Sequence, residues 1–312
     1  MSLHVFASFV TPFGTAANNR AENEGNITTL QKLLWQGETH STVSAEAIRF
    51  ALRRLLGSVE KTGTNRAWDE DDRVNTWQDP SFKGWASDKG STHIDDDLLG
   101  YMIAEAAKED GSDDGKGSAN VRRAVLEVTR AVSLTPWAGD VTFNAASPGA
   151  TPSASKGDKN KSKNPVPYGT ELHATRYQYG IALTPERLRD KSRAAKAVDA
   201  LCNLGTVAGN HGRFLFDFSP EAVVIRITAD PAPRLLYCFS TDDDGKTVQA
   251  ASLVQRIKVG DIDPAELYIG VSDLDSSLVK QLKDAGVSRI SGVKAACAAA
   301  KSLINQKLDI QE

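Results

Sequence analysis

The stretch LHVFASFVT, residues 3–11, places hydrophobic side chains on both faces of a predicted β-strand near the start of the chain. Pro12 and Gly14 end this run, because both residue types interrupt regular strands. The next stretch, AANNRAENEGN (16–26), is strongly polar. The segment TVSAEAIRFALRRLLG (42–57) then has the hydrophobic spacing of an amphipathic helix. The sequence therefore begins with a buried strand, a long polar loop and a helix.

The predicted helix carries recognisable signals at both of its ends. Ser44 is a typical N-cap residue, and Gly57 is typical of the position where a helix stops. Arg49 and Arg53 lie one turn apart, on a different face from the hydrophobic side chains. The side chains that we predict to face the core are Ala45, Ile48, Leu52 and Leu55.

The rest of the chain predicts a mixture of strands and helices. Residues 121–134 fit either a helix or a strand, and their branched side chains and the following Pro136 favour a strand. Pro185 fits the first position of a helix over 184–205. Further strands are predicted at 140–146, 171–183, within 209–228, at 233–239 and at 267–271, and further helices near 95–108, 276–285 and 291–307. The pattern is typical of the α+β class.

Residues 58–118 differ in composition from the rest of the chain. They are rich in Asp, Gly, Ser and Trp, including Trp68, Trp77 and Trp85. Between positions 61 and 120 the chain has 7 Lys and Arg against 14 Asp and Glu, so the remainder is mildly basic. We interpret 58–118 as an insertion into a single domain that spans residues 1–312.

A second unusual segment, residues 147–169, connects two predicted strands. Its Pro, Gly, Ser and Asn content offers too little hydrophobic surface for independent folding. Loops of this length are usually functional or disordered. The segment carries Asp158 and four lysines, which are Lys156, Lys159, Lys161 and Lys163. We predict a basic loop at the tip of a β-hairpin.

The overall composition restricts the class of protein. The 312 residues carry a formal net charge of -3, and 40% of them are hydrophobic, which is enough for a sizeable core. No hydrophobic run reaches the roughly 20 residues needed to cross a bilayer, and no export signal is recognisable. The cysteines Cys202, Cys238 and Cys297 are odd in number and far apart, which argues against a disulfide framework and a thiolate zinc site. We therefore expect a cytoplasmic protein with no membrane partner.

The sequence lacks the common patterns of enzyme active sites. The five histidines form no HExxH pair, and no GxSxG turn is present. The glycines of 205–212 follow a predicted helix and have the wrong spacing for a dinucleotide-binding loop. The acidic run at 95–97 has ligands for Mg²⁺, but aspartate also favours helix N-termini through the helix dipole. We expect no catalytic residues, no metal site and no cofactor.

Polar residues around the first helix have the chemistry of a single-stranded RNA site. Such RNA is held by cations and amides on its phosphates and ribose hydroxyls, and by flat or aliphatic groups on its bases. Each residue alone fits a turn, a cap or a solvated helix face, but their concentration after the first strand favours binding. The candidates in this unit are Asn19, Arg20, Lys32, His40, Ser44, Arg49 and Arg53. Asn210, His211 and Arg213 in the GNHGR turn are further candidates on chemical grounds.

Two segments of this unit resemble a known family. NNRAENEGNITTLQK (18–32) and GETHSTVSAEAIRFALR (37–53) are similar to the N-terminal signature of the CRISPR-associated Cascade backbone subunit, the Cas-seven family, in its DevR-like branch. In that family an Asn-Arg loop follows the first strand, a lysine comes next, and a helix that begins after Val-Ser and carries a basic residue closes the unit. The resemblance continues through VSLTPWAGDVTF (132–143), 147–169 and 209–239, so it spans nearly the whole chain.

The resemblance implies a hand-shaped protein. Its palm would be a ferredoxin-like (RRM-like) fold, with 58–118 as a finger insertion and 147–169 as a thumb β-hairpin. Copies would stack head to tail along the guide RNA, and each thumb would reach over the RNA and displace a base at regular intervals. The residues that match the family's RNA-contacting palm positions are Asn19, Arg20, Lys32, Ser44 and Arg49.

The resemblance also implies a function, namely a non-catalytic crRNA-binding subunit of a type I Cascade complex that presents the guide to target DNA. Its partners would be the crRNA, further copies and other Cascade subunits, and the acidic finger of one copy is expected to meet a basic face of the next. Some type III relatives cut RNA with an aspartate after the first strand, where this chain has Glu22, Glu24 and Glu38. An RNA-cleaving enzyme of the same fold and a protein-interaction module without nucleic acid are the alternatives.

Overall fold

The computed structural model describes residues 2–17, 23–87, 90–104, 119–145, 167–207, 215–242 and 245–310. The α-helices in these ranges are α1 (Ala45–Leu56), α2 (Ile94–Leu99), α3 (Arg193–Cys202), α4 (Ala251–Lys258), α5 (Ser277–Asp284) and α6 (Val293–Lys307). Short 3-10 turns lie at Lys83–Trp85, Pro185–Arg187 and Pro264–Glu266. The strands are β1 (His4–Val10), β2 (Gly14–Ala17), β3 (Asn23–Glu24), β4 (Ile27–Thr28), β5 (Lys32–Trp35), β6 (Glu38–Val43), β7 (Arg66–Asp69), β8 (Val74–Trp77), β9 (Tyr101–Ala104), β10 (Ala119–Arg122), β11 (Leu126–Val128), β12 (Ala131–Ser133), β13 (Val141–Asn144), β14 (Tyr168–Thr175), β15 (Tyr177–Leu183), β16 (Ala222–Thr228), β17 (Ser240–Thr241), β18 (Val248–Gln249), β19 (Leu267–Val271) and β20 (Ile290–Ser291).

A nine-stranded sheet forms the centre of the described structure. Its strands follow the order β20-β19-β16-β1-β15-β12-β6-β5, and β11 also pairs with β15. All of these pairs are antiparallel except β19 with β20. The opening strand β1 lies in the middle, where Ala7 is opposite Ile181 on one side and Ile225 on the other. The expected α+β class is confirmed.

Hydrophobic side chains on both faces of β1 place it between two layers. Val5, Ala7 and Phe9 join a core that includes α1, α3 and α6, and the Phe9 ring stacks on Tyr179 at 4.9 Å between ring centroids. Phe6 belongs to a second core on the opposite face, which includes α4 and α5. Because successive side chains of a strand point to opposite faces, a strand buried on both faces needs a continuous hydrophobic run.

Helix α1 forms where the sequence predicts it, with small shifts. The Ser44 hydroxyl accepts a hydrogen bond from the backbone N–H of Ala47, so the predicted N-cap is confirmed. The helix starts at Ala45 rather than at 42, because the residues before Ser44 belong to β6. Its buried residues are Ile48, Ala51, Leu52 and Leu56, whereas Ala45 and Leu55 are only half-buried.

The middle of the chain forms strands, as the branched side chains indicate. The ambiguous segment 121–134 contains β11, β12 and part of β10. The predicted strand at 140–146 is β13, and 171–183 contains β15 and most of β14. β13 and β14 are antiparallel, with Val141 opposite Glu171, which gives the predicted hairpin its base. Most of the predicted basic loop, including its four lysines, lies outside the described residues.

Two predicted helices are shorter than their hydrophobic spacing suggests. The helix expected at 95–108 ends at Leu99, because Gly100 has a φ of 69° and the chain continues as β9. The helix expected at 184–205 begins only at Arg193. The backbone N–H groups of Arg189 and Asp190 donate to the carboxylate of Asp97, each at 3.0 Å, instead of entering the helix.

The predicted strand at 233–239 does not form. Arg234 and Tyr237 both have a φ of 55°, which is incompatible with an extended strand. The segment instead crosses one face of the sheet, where the Ser8 hydroxyl donates to the Leu235 carbonyl at 2.8 Å and Gln178 bonds the backbone of Phe239. Its hydrophobic pattern therefore reflects packing against the second core rather than strand pairing.

Asp95 and Asp96 of the acidic run hold two parts of the insertion together. Asp95 accepts hydrogen bonds from the backbone N–H groups of Asn65 at 2.7 Å and Arg66 at 3.2 Å. The side chain of Asn65 donates to Asp96 at 2.9 Å. Burial, followed by the charge of Asp95, raises the pKa of Asp96 to about 6. In the described part of the chain, no group of three or more His, Cys, Asp or Glu side chains is placed to hold a metal ion.

A disulfide joins α3 to α6, contrary to the expectation from cysteine spacing. Cys202 and Cys297 are separated by 95 positions and form this bond, so no short motif could reveal it. The packing of α3 against α6 brings the two side chains together. Cys238 is free and buried. The correction comes from tertiary packing, which spacing rules do not describe.

The C-terminal elements agree with the sequence pattern. β19 coincides with the predicted strand at 267–271, and α5 and α6 lie at the two predicted helices. The Ser276 hydroxyl caps α5 by accepting from the backbone N–H of Val279. Within the described ranges, no helix combines the length and hydrophobicity that a membrane span requires.

Candidate nucleic-acid interface

Five of the predicted RNA-contacting residues lie in described parts of the structure. They are Lys32, His40, Ser44, Arg49 and Arg53. The other predicted residues lie outside the described ranges and stay predictions, and these are Asn19, Arg20, Asn210, His211, Arg213, Lys156, Lys159, Lys161 and Lys163.

Lys32 lies on β5 and is engaged within the protein. Its Nζ is 2.7 Å from both carboxylate oxygens of Glu171 and 3.9 Å from the ring centroid of Trp137. Glu171 also accepts a hydrogen bond from the backbone N–H of Leu30 at 2.6 Å. Lys32 therefore holds the segment after the polar loop against β14, and a phosphate at this position would share the ammonium group with Glu171.

His40 is buried and holds two strands of the sheet together. Its side chain is on β6, and its Nδ1 lies 2.7 Å from the backbone carbonyl oxygen of Ser133 at the end of β12. Only 6% of the residue is exposed. The structure thus gives His40 a structural contact between β6 and β12, and its contact with RNA stays a prediction.

A buried polar network beside His40 was not foreseen from the sequence. The Ser41 hydroxyl lies 2.6 Å from Nδ1 of His173 and 2.7 Å from the hydroxyl of Tyr177. Burial lowers the pKa of His173 to about 4, and a hydrogen bond with the backbone of Pro136 opposes that shift. A serine close to a histidine suggests nucleophile activation, but Ser41 is fully buried. The network therefore serves the packing of β6 against β14 and β15.

Arg49 projects from α1 towards the insertion without a carboxylate partner among the described residues. Its guanidinium donates to the backbone carbonyl of Leu99, the last residue of α2. Burial lowers the pKa of Arg49, the charge of Glu46 opposes this shift, and the charge of Arg66 adds to it. Arg49 thus lies at the edge of the insertion without an ion pair among the described residues, although the nearby charge of Glu46 favours its charged form.

Arg53, one turn later, is paired. Its Nε lies 3.2 Å from Oδ2 of Asp95, and both side chains are largely buried. Burial and then the nearby charge of Arg66 lower the pKa of Arg53 to about 10, against the opposing effect of Asp95. Arg53 therefore anchors the insertion on α1, a role that its position on the helix did not indicate.

A groove of about 550 Å³ lies between α1 and the insertion. Arg49 and Arg53 line one side of it, and Arg66, Trp77 and Tyr101 line the other. The sequence analysis identified the two arginines of α1 but not the residues of the insertion, because that segment is acidic on average. The side chains that complete the lining include Glu46, Asp95, Asp96, Met102 and Arg122.

The hairpin formed by β7 and β8 directs one of its faces towards α1. Arg66 is opposite Trp77, and Trp68 is opposite Asn75. Because directly opposed residues and residues two apart share a face, these four side chains lie on the same side of the hairpin. Trp68 contacts Phe50 of α1 at 6.3 Å between ring centroids. The alternation in RAWD and VNTW was the sequence signal that could have identified this face.

Trp85 differs from the tryptophans of the hairpin. The guanidinium carbon of Arg122 lies 4.2 Å from the ring centroid of Trp85, and that of Arg189 lies 4.8 Å away. Trp85 also contacts Tyr101, which stacks on Phe82 at 3.8 Å. The aromatic residues form a small satellite core within the insertion, and Trp77 packs on its edge against Phe82 at 5.8 Å between ring centroids.

The chain is similar to CRISPR-associated proteins over most of its length. Residues 10–203 match the family model described as "CRISPR-associated negative auto-regulator DevR/Csa2". A protein of Myxococcus xanthus (strain DK1622), "CRISPR-associated protein Cas7/Cst2/DevR", is 58% identical over 302 residues. The match covers 96% of this chain and 97% of that protein.

Two solved structures share the fold at low sequence identity. A chain of a "CRISPR RNA-guided surveillance complex" has a TM-score of 0.53 and 15% identity, over 96% of this chain and 100% of that chain. A chain of a "CRISPR RNA-guided surveillance complex, pre-nicking" has a TM-score of 0.51 and 12% identity, with the same coverage. The shared fold therefore extends over nearly the whole of both chains.

Proposed function

The chain belongs to the DevR/Csa2 family of CRISPR-associated proteins, and from this membership we propose that it is a non-catalytic, crRNA-binding backbone subunit of a type I Cascade complex. Its likeness to chains of RNA-guided surveillance complexes supports the proposal. Several copies assemble along one guide RNA in the cytoplasm, together with other Cascade subunits. The guide is then presented for pairing with target DNA.

The order of the central strands supports a ferredoxin-like palm. Along the chain, β1, α1, β12, β15, α3 and β16 succeed one another in the β-α-β-β-α-β order of that fold, with other elements between them. In the sheet these strands follow the antiparallel order β16-β1-β15-β12. Both helices pack into the same core on one face of this sheet.

The remaining segments take the roles of finger and thumb. Residues 58–118 are the finger, which is fastened to the palm by Arg49 and Arg53. Residues 147–169 are the thumb, which continues from β13 and β14. Phe143, near its base, is 71% exposed and is available for contact with a base or with the next copy.

The observation that carries the proposal is the position of Arg49. It matches the basic position of the family's palm helix, it borders a groove, and it has no carboxylate within ion-pair distance among the described residues. Since a phosphate is the usual partner of such a cation in a nucleic-acid site, Arg49 is suited to hold the guide backbone.

The contact between copies follows from the same role. A heterologous contact that does not close produces an open helical filament, as a linear guide requires. Sequence recognition is left to base pairing, so the protein needs to grip the backbone only. We propose that the acidic finger of one copy contacts a basic face of the next copy, and that this contact sets the spacing of the copies along the guide.

Substitution Arg49→Ala tests the proposal. We expect guide RNA binding to weaken by about 1 to 3 kcal/mol, the scale of a lost charge-assisted contact, while the thermal transition is retained. Binding is measured by fluorescence anisotropy over a range of salt concentrations, because phosphate neutralisation gives a steep salt dependence. The control is Arg123→Ala, since Arg123 is exposed and pairs only with Glu127. Equal binding by both variants would remove Arg49 from the interface.

A nuclease assay separates this role from the enzymatic alternative. Glu24 and Glu38 are exposed, and Glu22 lies outside the described residues. We expect purified protein with Mg²⁺ to leave single-stranded target RNA intact. Discrete cleavage products that disappear on Glu22→Gln or Glu24→Gln would overturn the non-catalytic proposal.

A further inference from the structure

The groove between α1 and the insertion contains arginines whose charges are not balanced in the same way. Arg53 is paired with Asp95, and Arg122 is paired with Asp97. Arg49 and Arg66 have no ion pair within the described residues, and Arg49 donates only to a backbone carbonyl. Two guanidinium groups therefore line the groove without an ion pair, in a lining that also contains Glu46, Asp95 and Asp96.

These arginines repel one another within the groove. Besides burial, the charge of Arg66 lowers the pKa of Arg49 and that of Arg53. Like charges held together in a partly buried site destabilise the folded protein. Such an arrangement is stabilised when an anion enters, because each guanidinium presents several donors that match phosphate oxygens.

The opposite wall of the groove is aromatic and rigid. The guanidinium carbon of Arg66 lies 5.6 Å from the ring centroid of Trp77, which is 41% exposed. Trp77 rests on Phe82, and Phe82 stacks on Tyr101. Met102, next to Tyr101, is 70% exposed. This wall offers a flat ring, supported from behind, beside the guanidinium of Arg66 and in the same groove as Arg49.

We propose that this groove binds one unstacked nucleotide of a single-stranded nucleic acid, with its phosphate between Arg49 and Arg66 and its base against Trp77. The inference rests on the proposed function, because the strand is the guide or the strand that pairs with it. It adds a subsite on the insertion, beyond the palm positions of the family signature.

A nucleotide fits the groove better than an acidic protein segment. A volume of about 550 Å³ lies in the range of small-molecule sites and accommodates a base with its sugar and phosphate. Stacking of bases on aromatic side chains is a general feature of single-strand binding and requires no particular base. An acidic segment, such as residues 69–72 of a second copy, would use the arginines but would not use the exposed part of the Trp77 ring.

The test compares Trp77→Ala and Trp77→Phe in the full-length protein. A dye-labelled 12-nucleotide single-stranded RNA serves as the probe in anisotropy titrations. We expect Trp77→Ala to weaken binding about tenfold, since one base–aromatic stack is worth about 1 to 3 kcal/mol, and Trp77→Phe to retain most of the affinity. The matched control is Trp35→Ala. Trp35 lies on β5, is not part of the groove lining, and packs on Tyr237 at 5.0 Å between ring centroids.

Arg66→Gln and photocross-linking make the test independent of folding at Trp77. The Arg66 side chain forms no ion pair with a carboxylate among the described residues. We therefore expect Arg66→Gln to preserve the thermal transition, to weaken RNA binding and to reduce the salt dependence of that binding. RNA carrying 4-thiouridine is expected to cross-link to the peptide that contains Trp77 or Tyr101.

The outcomes separate this inference from the proposed function. If RNA binds the wild type but Trp77→Ala and Arg66→Gln bind equally well, with no cross-link, the subsite is refuted and the function stands. If the wild type binds no RNA, both proposals are refuted. If a peptide of residues 69–72 does not displace the labelled RNA, and the cross-link is found, binding of a nucleotide in the groove is supported. If that peptide binds the wild type and loses affinity only on Arg66→Gln, the groove is a protein interface.

Discussion

Arg193 shows how a charged residue can be structural where its pattern suggests a solvated helix. It begins α3 and is 4% exposed. Its guanidinium bonds Glu60 at 3.0 Å and Asp97 at 2.9 Å, and it also donates to the hydroxyl and the carbonyl of Thr92. These contacts connect α3 with α2 and with the part of the insertion that precedes it.

We expect Arg193→Ala to destabilise the protein by about 3 to 5 kcal/mol, because it leaves the buried carboxylate of Asp97 with one partner fewer. Unfolding by denaturant, followed by circular dichroism, gives the free energy. Arg123→Ala removes an exposed pair and should change it by less than about 1 kcal/mol. Similar values for the two variants would show that the insertion is not held by this arginine.

Two buried groups give stability opposite dependences on pH. The pKa of Asp96 is raised to about 6, so its contribution to the free energy of unfolding is present at low pH and is lost as the pH rises from about 4 to 6. The pKa of His173 is lowered to about 4, so its contribution is lost as the pH falls from about 6.5 to 4. In the wild type the two slopes oppose each other.

Asp96→Asn should therefore uncover the dependence due to His173. The substituted amide oxygen can still accept from Asn65, so we expect a folded variant that loses stability steeply as the pH is lowered from 6.5 to 4. Denaturant titrations at several pH values measure the slope. Asp72→Asn, at an exposed position of the hairpin, should behave as the wild type does. A slope unchanged by Asp96→Asn would contradict the raised pKa.

At the residue scale, contacts between sequence neighbours could be predicted, whereas the surroundings of a side chain in the folded protein could not. Ser44 was identifiable as a cap because a cap depends on neighbours in the chain. The contacts of His40 and Arg53 within the protein could not be predicted, because their partners, Ser133 and Asp95, lie far away in sequence. The place of Arg66 and Trp77 in the groove could not be predicted for the same reason, since their common face exists only after β7 pairs with β8.

At the scale of elements, local sequence signals predict some helices and strands correctly, whereas elements that depend on tertiary contacts are not predicted. β1, α1, α5 and α6 follow from hydrophobic spacing and capping residues, which act within a few positions. The segment 233–239 did not follow, because its backbone is fixed by Ser8 and Gln178 from other strands. The disulfide between α3 and α6 belongs to the same class of long-range feature.

The disulfide provides a prediction about these two helices. A bond that closes a loop of 95 positions restricts the unfolded chain, and removing it is expected to cost about 2 to 5 kcal/mol. Thermal unfolding with and without reductant should show a lower transition in the reduced protein. The double variant Cys202→Ala, Cys297→Ala should be insensitive to reductant. Alkylation of both Cys202 and Cys297 in the unreduced protein, detected by mass spectrometry, would contradict the bond, whereas alkylation of Cys238 alone is consistent with it.

At the scale of the whole molecule, the proposed role links assembly to the guide. If each copy covers a fixed length of RNA, as the proposed function requires, lengthening the guide should add copies in whole steps. We expect light scattering after size-exclusion chromatography to show a mass that increases in increments of one subunit, about 33.5 kDa. Protein without RNA is the control. A mass independent of guide length would argue against a filament.

The central position of β1 has a consequence for how the protein is made. Its two neighbours, β15 and β16, are synthesised far later, since Val5 pairs with Leu183 and with Ile227. The opening strand must therefore wait on the ribosome, without its partners, until most of the chain has emerged. Nascent chains that stop before residue 228 would expose a hydrophobic strand with an unpaired edge. We expect chaperones that bind such strands to increase the yield of folded protein.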